Sequence, residues 1–147
     1  MEKVRKSLKS IMIRSLATMD KLKKQINALP LSAEQKEIVE ILLQKRDEKC
    51  ISIDFSDVLE FLECGNRIEG IKRKGIAEIE QELSLLSGAK GVIFLIEMNE
   101  NYILRELYNI LDLIAQNIDE DAEEIFGNKF HTSNTPLKLT ALFAHAD

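Results

Sequence analysis

The sequence predicts an α/β domain, in which a small four-stranded mixed sheet is flanked by helices and preceded by an N-terminal helical hairpin. Near the N-terminus, apolar residues recur at steps of three and four, which is typical of amphipathic helices. From Ile51 onward, segments with helical spacing alternate with short apolar runs typical of strands. The length of 147 residues, 45% of them hydrophobic, fits one compact core.

The N-terminal hairpin is predicted from one apolar stripe and one capping pattern. The stripe comprises Val4, Leu8, Ile11, Met12, Leu16, Met19, Leu22, Ile26 and Leu29. Pro30 follows it, and Ser32 with Gln35 three residues later forms a capping-box pattern that starts a second helix. That helix should run to about Arg46 and bury Ile38 and Leu42. We therefore expect an N-terminal amphipathic helix in residues 1–31 and the α/β domain in residues 32–147.

The remainder of the chain predicts seven elements in the order helix, strand, helix, strand, helix, strand, strand. These are a helix capped by Asp54, a weak strand ending near Ile71, a helix from Ile76 that stops by Gly88, a buried strand Val92–Ile96, a helix over 103–114, and strands over 122–130 and 137–144. Residues 132–136 read as a turn between the last two strands.

Composition excludes several classes of protein. The longest apolar run, Val92–Ile96, is far shorter than the ~20 residues that span a bilayer, so integral membrane association is not expected. The basic N-terminus is not followed by a continuous apolar stretch, so it does not read as a secretory signal, and we expect a cytoplasmic protein. Aromatic residues make up 5% of the chain with no Trp, which argues against nucleic-acid binding by base stacking.

The charge is unevenly distributed along the chain. Residues 1–29 hold eight Lys or Arg against two acids, whereas the rest holds 12 against 23. A basic helix on an acidic body could seek an acidic partner, a membrane surface or nucleic acid. A solvated helix face explains the same pattern, and no Arg-rich run or interleaved aromatics favour nucleic acid.

Several segments in collinear order resemble one protein family. Residues 51–58 read Ile-Ser-Ile-Asp-Phe-Ser-Asp-Val, and residues 89–94 read Ala-Lys-Gly-Val-Ile-Phe. The first resembles the Ile-Asn-Val-Asp-Phe-Ala-Asp-Val loop after the central helix of FtsZ, the bacterial relative of tubulin, and the second resembles an Ala-Arg-Gly-Val-Leu strand entry. Residues 65–70, 122–127 and 137–140 resemble further strands of the FtsZ C-terminal domain. The resemblance covers roughly residues 33–144.

The sequence also departs from the FtsZ pattern. FtsZ proteins carry a nucleotide-binding domain with a phosphate loop of the type Gly-Gly-Gly-Thr-Gly, whereas none of the six glycines here adjoins another. Successive backbone N–H groups that could cradle a phosphate are therefore not expected, and the chain should bind no GTP, use no cofactor and not be an enzyme. Ser52 replaces an Asn of the family, and residues 97–101 replace a turn that contains glycine.

The acidic pair Asp54 and Asp57 has two interpretations. In FtsZ and tubulins, the acids of this loop reach the nucleotide pocket of the neighbouring subunit and help to orient the water that attacks the γ-phosphate. The resemblance thus implies an interaction loop of Ser52, Asp54, Phe55 and Asp57 that could contact a partner's GTP. Helix capping explains the same spacing, because Asp is favoured at the N-cap and in the first turn.

Other reactive side chains form no recognised motif. Cys50 and Cys64 cannot make a disulfide scaffold, and neither has a Cys or His nearby at the spacing of zinc ligands. His131 and His145 lie near the C-terminus without a paired acid motif. The acids at 119–124 lack the central glycine of a calcium loop, so they read as a solvated turn, and no metal site is expected.

Two functional hypotheses remain. The first is a bacterial, non-enzymatic FtsZ-like domain that interacts with FtsZ or a related filament protein and modulates its assembly in cell division. The alternative is a self-associating structural protein that uses its N-terminal helix to form a homodimer, because the long apolar stripe must be buried somewhere.

Overall fold

The computed structural model describes residues 19–44, 50–82, 86–99, 104–131 and 136–146. The chain divides into two units, Met1–Ser32 and Ala33–Asp147. In the first unit, residues 19–27 are helical and constitute the described part of α1. Most of the predicted N-terminal helix and most of the predicted turn at 132–136 lie outside the described residues. The hairpin between the first two helices stays a prediction.

The second unit contains four helices and four strands in the predicted order. The elements are α2 (Ala33–Leu42), α3 (Phe55–Leu62), β1 (Arg67–Lys74), α4 (Ile76–Gln81), β2 (Gly91–Asn99), α5 (Leu104–Asn117), β3 (Glu123–His131) and β4 (Lys138–His145). With α1, the described residues thus form five helices and a four-stranded sheet, and the predicted α/β fold is confirmed. One difference is that α4 ends well before Gly88, which instead lies in a turn with a φ of 77°.

The sheet has the strand order β1-β4-β2-β3 and mixes both kinds of pairing. β4 pairs antiparallel with β1 and with β2, whereas β2 and β3 run parallel from Gly91 opposite Glu123 to Asn99 opposite His131. A parallel pair needs a crossover connection, and α5 provides it. β2 and β4 are the central strands, which explains why both are apolar and buried along almost their whole length.

Helices cover both faces of the sheet. Alternate residues of β2, among them Val92 and Phe94, join Ile110 and Ile114 of α5 in one apolar cluster. The opposite face packs against α2, which contacts β1 and β4, and against α3, which contacts β2 and β3. The intervening β2 residues, such as Ile93, are therefore buried as well, and the sheet forms the middle of three layers.

β1 contains an irregularity near its end. Ile71 pairs with Ala141, but the next pair is Lys74 with Leu139, so the register shifts between them. Arg73 lies in this bulge with a φ of 47°, and its backbone N–H donates a hydrogen bond to Thr140 Oγ1 at 3.1 Å. β1 extends to Lys74, beyond the predicted end of the strand near Ile71. The bulge changes the direction of the Arg73 side chain.

Candidate functional site

The loop before α3 is attached to the outer edge of β3. The Ile51 N–H donates to Asn128 Oδ1 at 2.6 Å, and the Asn128 N–H donates to the Ile51 carbonyl at 3.1 Å. Residues 51–53 form no strand, and Ile53 is buried, so this segment is a loop that packs against the domain. These contacts fix the position from which α3 begins.

Asp54 and Asp57 form a capping box at the start of α3. Asp54 Oδ1 accepts hydrogen bonds from the Asp57 N–H at 2.9 Å and from the Ser56 hydroxyl at 2.6 Å, and Asp57 Oδ2 accepts from the Asp54 N–H at 3.0 Å. The Ser56 hydroxyl, followed by the Asp57 N–H, lowers the pKa of Asp54. The capping interpretation is confirmed. It is compatible with a second role, because the cap occupies one oxygen of each carboxylate.

The four residues of the predicted interaction loop are neighbours at this helix start. Ser52 and Asp54 are exposed, whereas Phe55 and Asp57 are half-buried in the first turn of α3. The structure therefore brings them together on the surface of the second unit. Their contact with the GTP of a partner stays a prediction.

Two further acids lie near the C-terminal half of α3. The carboxyl of Glu60 on α3 is hydrogen-bonded to that of Glu123 on β3, and this bond, together with the negative charge of Glu123, raises the pKa of Glu60. We call Asp54, Asp57, Glu60 and Glu123 the acidic α3 face. A surface with this charge favours a partner that offers cations, such as basic side chains or a bound divalent ion.

Cys64 lies beside the acidic α3 face and is poorly suited to act as a nucleophile. Its thiol donates to Glu123 Oε2 at 3.5 Å, and burial, followed by this hydrogen bond and the nearby negative charge, raises its pKa to about 11. The thiolate is the reactive form of cysteine, and it is disfavoured here. Both cysteines are free, and within the described ranges no group of three His, Cys, Asp or Glu could hold a metal ion.

Replacement of Asp54 by Ala should lower the free energy of unfolding by about 1 kcal/mol at neutral pH, because α3 loses its cap, whereas Asp54→Asn should retain most of the stability. The folded carboxyl has the lower pKa, so the part of its stabilising effect that depends on the negative charge is complete above the unfolded pKa of about 4 and is lost as the pH falls through the folded pKa. Urea unfolding of both variants between neutral and acidic pH measures this difference. A cost for Asp54→Ala that persists undiminished in acid would contradict it.

A second cluster of charged side chains lies where β2 and β3 end. It surrounds a cleft of about 270 Å³, which we call the basic cleft. The cleft is lined by Arg73, Glu97, Lys129, His131, Pro136 and Lys138. These residues come from the ends of β1, β2 and β3 and from the start of β4, so the sheet register brings them together.

The interpretation of His131 as a histidine without a paired acid is wrong. Its Nε2 lies 2.8 Å from Glu97 Oε2. Glu97 belongs to the segment that replaces a glycine-containing turn of the FtsZ pattern, but β2 continues to Asn99 and buries Glu97. A carboxylate that directly follows the apolar run Val92–Ile96 is the signal that could have indicated a buried acid.

The fold is similar to solved structures of FtsZ. An empty FtsZ dimer from M. jannaschii matches with a TM-score of 0.52 and 20% identity over 74% of this chain and 34% of that chain. An FtsZ mutant from the same organism matches with a TM-score of 0.47 and 18% identity over 83% of this chain and 44% of that chain. No protein-family model and no curated protein matches the sequence.

The described residues thus have an FtsZ-type α/β fold, as the sequence resemblance implied. The chain spans about a third of the length of the empty M. jannaschii FtsZ that it matches, which is consistent with a C-terminal domain of that type. No helix among the described residues is long and apolar enough to cross a membrane.

Proposed function

We propose that this chain is a non-enzymatic, cytoplasmic FtsZ-like domain that binds FtsZ or a related filament protein and modulates its assembly during bacterial cell division. The observation that supports it most is the loop at 51–58, which resembles the FtsZ pattern and presents Asp54 and Asp57 at the exposed start of α3. The fold, which is similar to that of an FtsZ structure, also supports the proposal.

The proposed contact is directional. The acidic α3 face docks against the nucleotide-bearing face of a filament subunit, where a carboxylate orients water during an electrostatically driven phosphoryl transfer. The 147 residues contain no adjacent glycines to cradle a phosphate. A bound copy of these 147 residues should therefore offer no nucleotide to the next subunit and stop growth at the filament end.

Added to full-length FtsZ and GTP in substoichiometric amounts, the protein should lower filament assembly. Light scattering and phosphate release measure assembly and turnover in the same samples. Asp54→Asn should weaken the effect, because it keeps the capping oxygen but removes the charge. Asp112→Asn is the matched control, since it removes an exposed carboxylate from α5 on the other face of the sheet.

The outcomes separate the two interpretations of the acidic pair. Inhibition by the wild type and by Asp112→Asn, but not by Asp54→Asn, supports the proposal. No response of FtsZ to a several-fold excess of the wild type contradicts it and leaves Asp54 and Asp57 as capping residues. Saturable binding of GTP to the pure protein would contradict the non-enzymatic assignment.

Self-association through the N-terminal helix is the second candidate function. The apolar stripe of residues 4–29 supports it, and its members Met19, Leu22 and Ile26 lie in the described part of α1. A dimeric mass of the chain alone, reduced to the monomer when the residues before Pro30 are removed, would favour this candidate over the filament contact.

A further inference from the structure

Glu97 is a buried carboxylate that is incompletely satisfied. Its side chain is 8% exposed, and Oε2 is occupied by His131 Nε2 at 2.8 Å. Oε1 is buried without a hydrogen-bond partner, although Arg73 Nε lies 3.4 Å away within ion-pair distance. An acceptor that is left unsatisfied in the interior is costly, so this oxygen requires an explanation.

Cations surround this carboxylate. Lys129 on β3 and Lys138 on β4 are its register partners on the two neighbouring strands, and both line the basic cleft. Lys129 also donates to Gln44 Oε1 at 3.3 Å. The Arg73 side chain is 46% exposed, so its guanidinium can reach both the carboxylate and the cleft.

The backbone geometry supports a binding role for Arg73. A φ of 47° is strained for a residue with a side chain, and such strain concentrates at ligand sites. The Arg73 N–H donates a hydrogen bond to the Oγ1 of Thr140, which is fully buried, and this bond stabilises the bulge. The cleft therefore brings together three basic side chains, one histidine and the buried carboxylate of Glu97.

We propose that the basic cleft binds inorganic hydrogen phosphate. The phosphate oxygens accept hydrogen bonds from Arg73, Lys129 and Lys138, which are charge-assisted and strong. The P–OH group donates to Glu97 Oε1, which is buried without a hydrogen bond from the described residues. The cleft, at about 270 Å³, is slightly smaller than the usual pocket for a drug-sized ligand and suits a small ion.

The buried carboxylate of Glu97 should make the basic cleft selective for inorganic phosphate over other anions. Sulfate carries no proton at neutral pH, and a phosphomonoester loses its last proton above a pKa of about 6. Both ions would direct an unprotonated oxygen at Glu97 and be repelled. Inorganic phosphate keeps at least one P–OH group under the same conditions. This inference does not rest on the filament contact, because no residue of the acidic α3 face lines the basic cleft.

Isothermal titration calorimetry of the full chain at about pH 8, above the phosphomonoester pKa of about 6, tests the proposal with phosphate, sulfate and phosphoserine as the three ligands. Phosphate should bind at least about tenfold more tightly than the other two, a difference that one charge-assisted hydrogen bond supplies. Lys138→Gln should weaken phosphate binding by about tenfold for the same reason. Lys90→Gln, at the opposite end of β2, should leave the binding unchanged.

Glu97→Gln distinguishes selectivity from general attraction to anions. The amide donates a hydrogen bond where the carboxylate accepts one, so sulfate should bind this variant at least as well as phosphate does. Circular dichroism checks that the variant is folded; if it is not, Lys129→Gln replaces it and should weaken phosphate binding as Lys138→Gln does. Three results would overturn the proposal: no saturable phosphate binding, equal binding of sulfate and phosphate by the wild type, or unchanged phosphate binding by Lys138→Gln.

Discussion

Truncation of Phe61 to Ala should lower the free energy of unfolding by about 3 to 5 kcal/mol, the usual cost of a large cavity in a packed core. Phe61 is 1% exposed and belongs to the face of α3 that contacts β2 and β3. Its ring lies next to Gly91, where an added Cβ would come within 3.7 Å of Phe61 Cδ1. The short helix α3 therefore depends on this side chain for its attachment to the sheet.

Leu59→Ala on the same helix is the matched control. Leu59 is 47% exposed, and Ala has a slightly higher helix propensity than Leu, so the cost should stay within about 0.5 kcal/mol. Urea unfolding of the two variants measures both costs. Equal costs would show that α3 is not held by the packing of Phe61. The same loss should impair the proposed docking, because α3 carries the acidic α3 face.

The order of the elements could be predicted because its signals are local. Apolar spacing within one segment distinguishes the helix Leu104–Asn117 from the strand Gly91–Asn99 without knowledge of neighbouring strands. The capping box at Asp54 and Asp57 is local for the same reason, since both partners lie in one turn. The interaction loop was found by resemblance to FtsZ, and its local geometry agrees with the capping interpretation.

The basic cleft could not be predicted, because it depends on register between strands that are distant in sequence. Glu97 and His131 are 34 positions apart, and they meet only because β2 and β3 are parallel with Asn99 opposite His131. The position of Arg73 depends on a bulge, which arises from the pairing of β1 with β4. Hydrophobic periodicity within one segment predicts neither the register between β2 and β3 nor the position of the bulge in β1.

Gly65→Ala should lower the free energy of unfolding by about 2 to 3 kcal/mol, the upper part of the range for overpacking. A Cβ at this position would lie 2.3 Å from the carbonyl oxygen of His145, which belongs to the backbone of β4 and cannot rotate away. Gly65 lies two residues before β1, whose first pair is Arg67 with His145. The added methyl group would therefore push apart the strands where their pairing begins.

Gly75→Ser separates this steric effect from the loss of glycine flexibility. Gly75 is the N-cap of α4, has extended backbone angles, and has nothing within 4 Å of an added Cβ. Ser is a favoured capping residue, so this change should leave the stability unchanged or raise it by a few tenths of a kcal/mol. Thermal unfolding of both variants compares them under one condition. If Gly65→Ala is as stable as the wild type, β4 does not approach Gly65 as closely as the structure shows, and the amide exchange of residues 67–71 should then match that of the wild type as well.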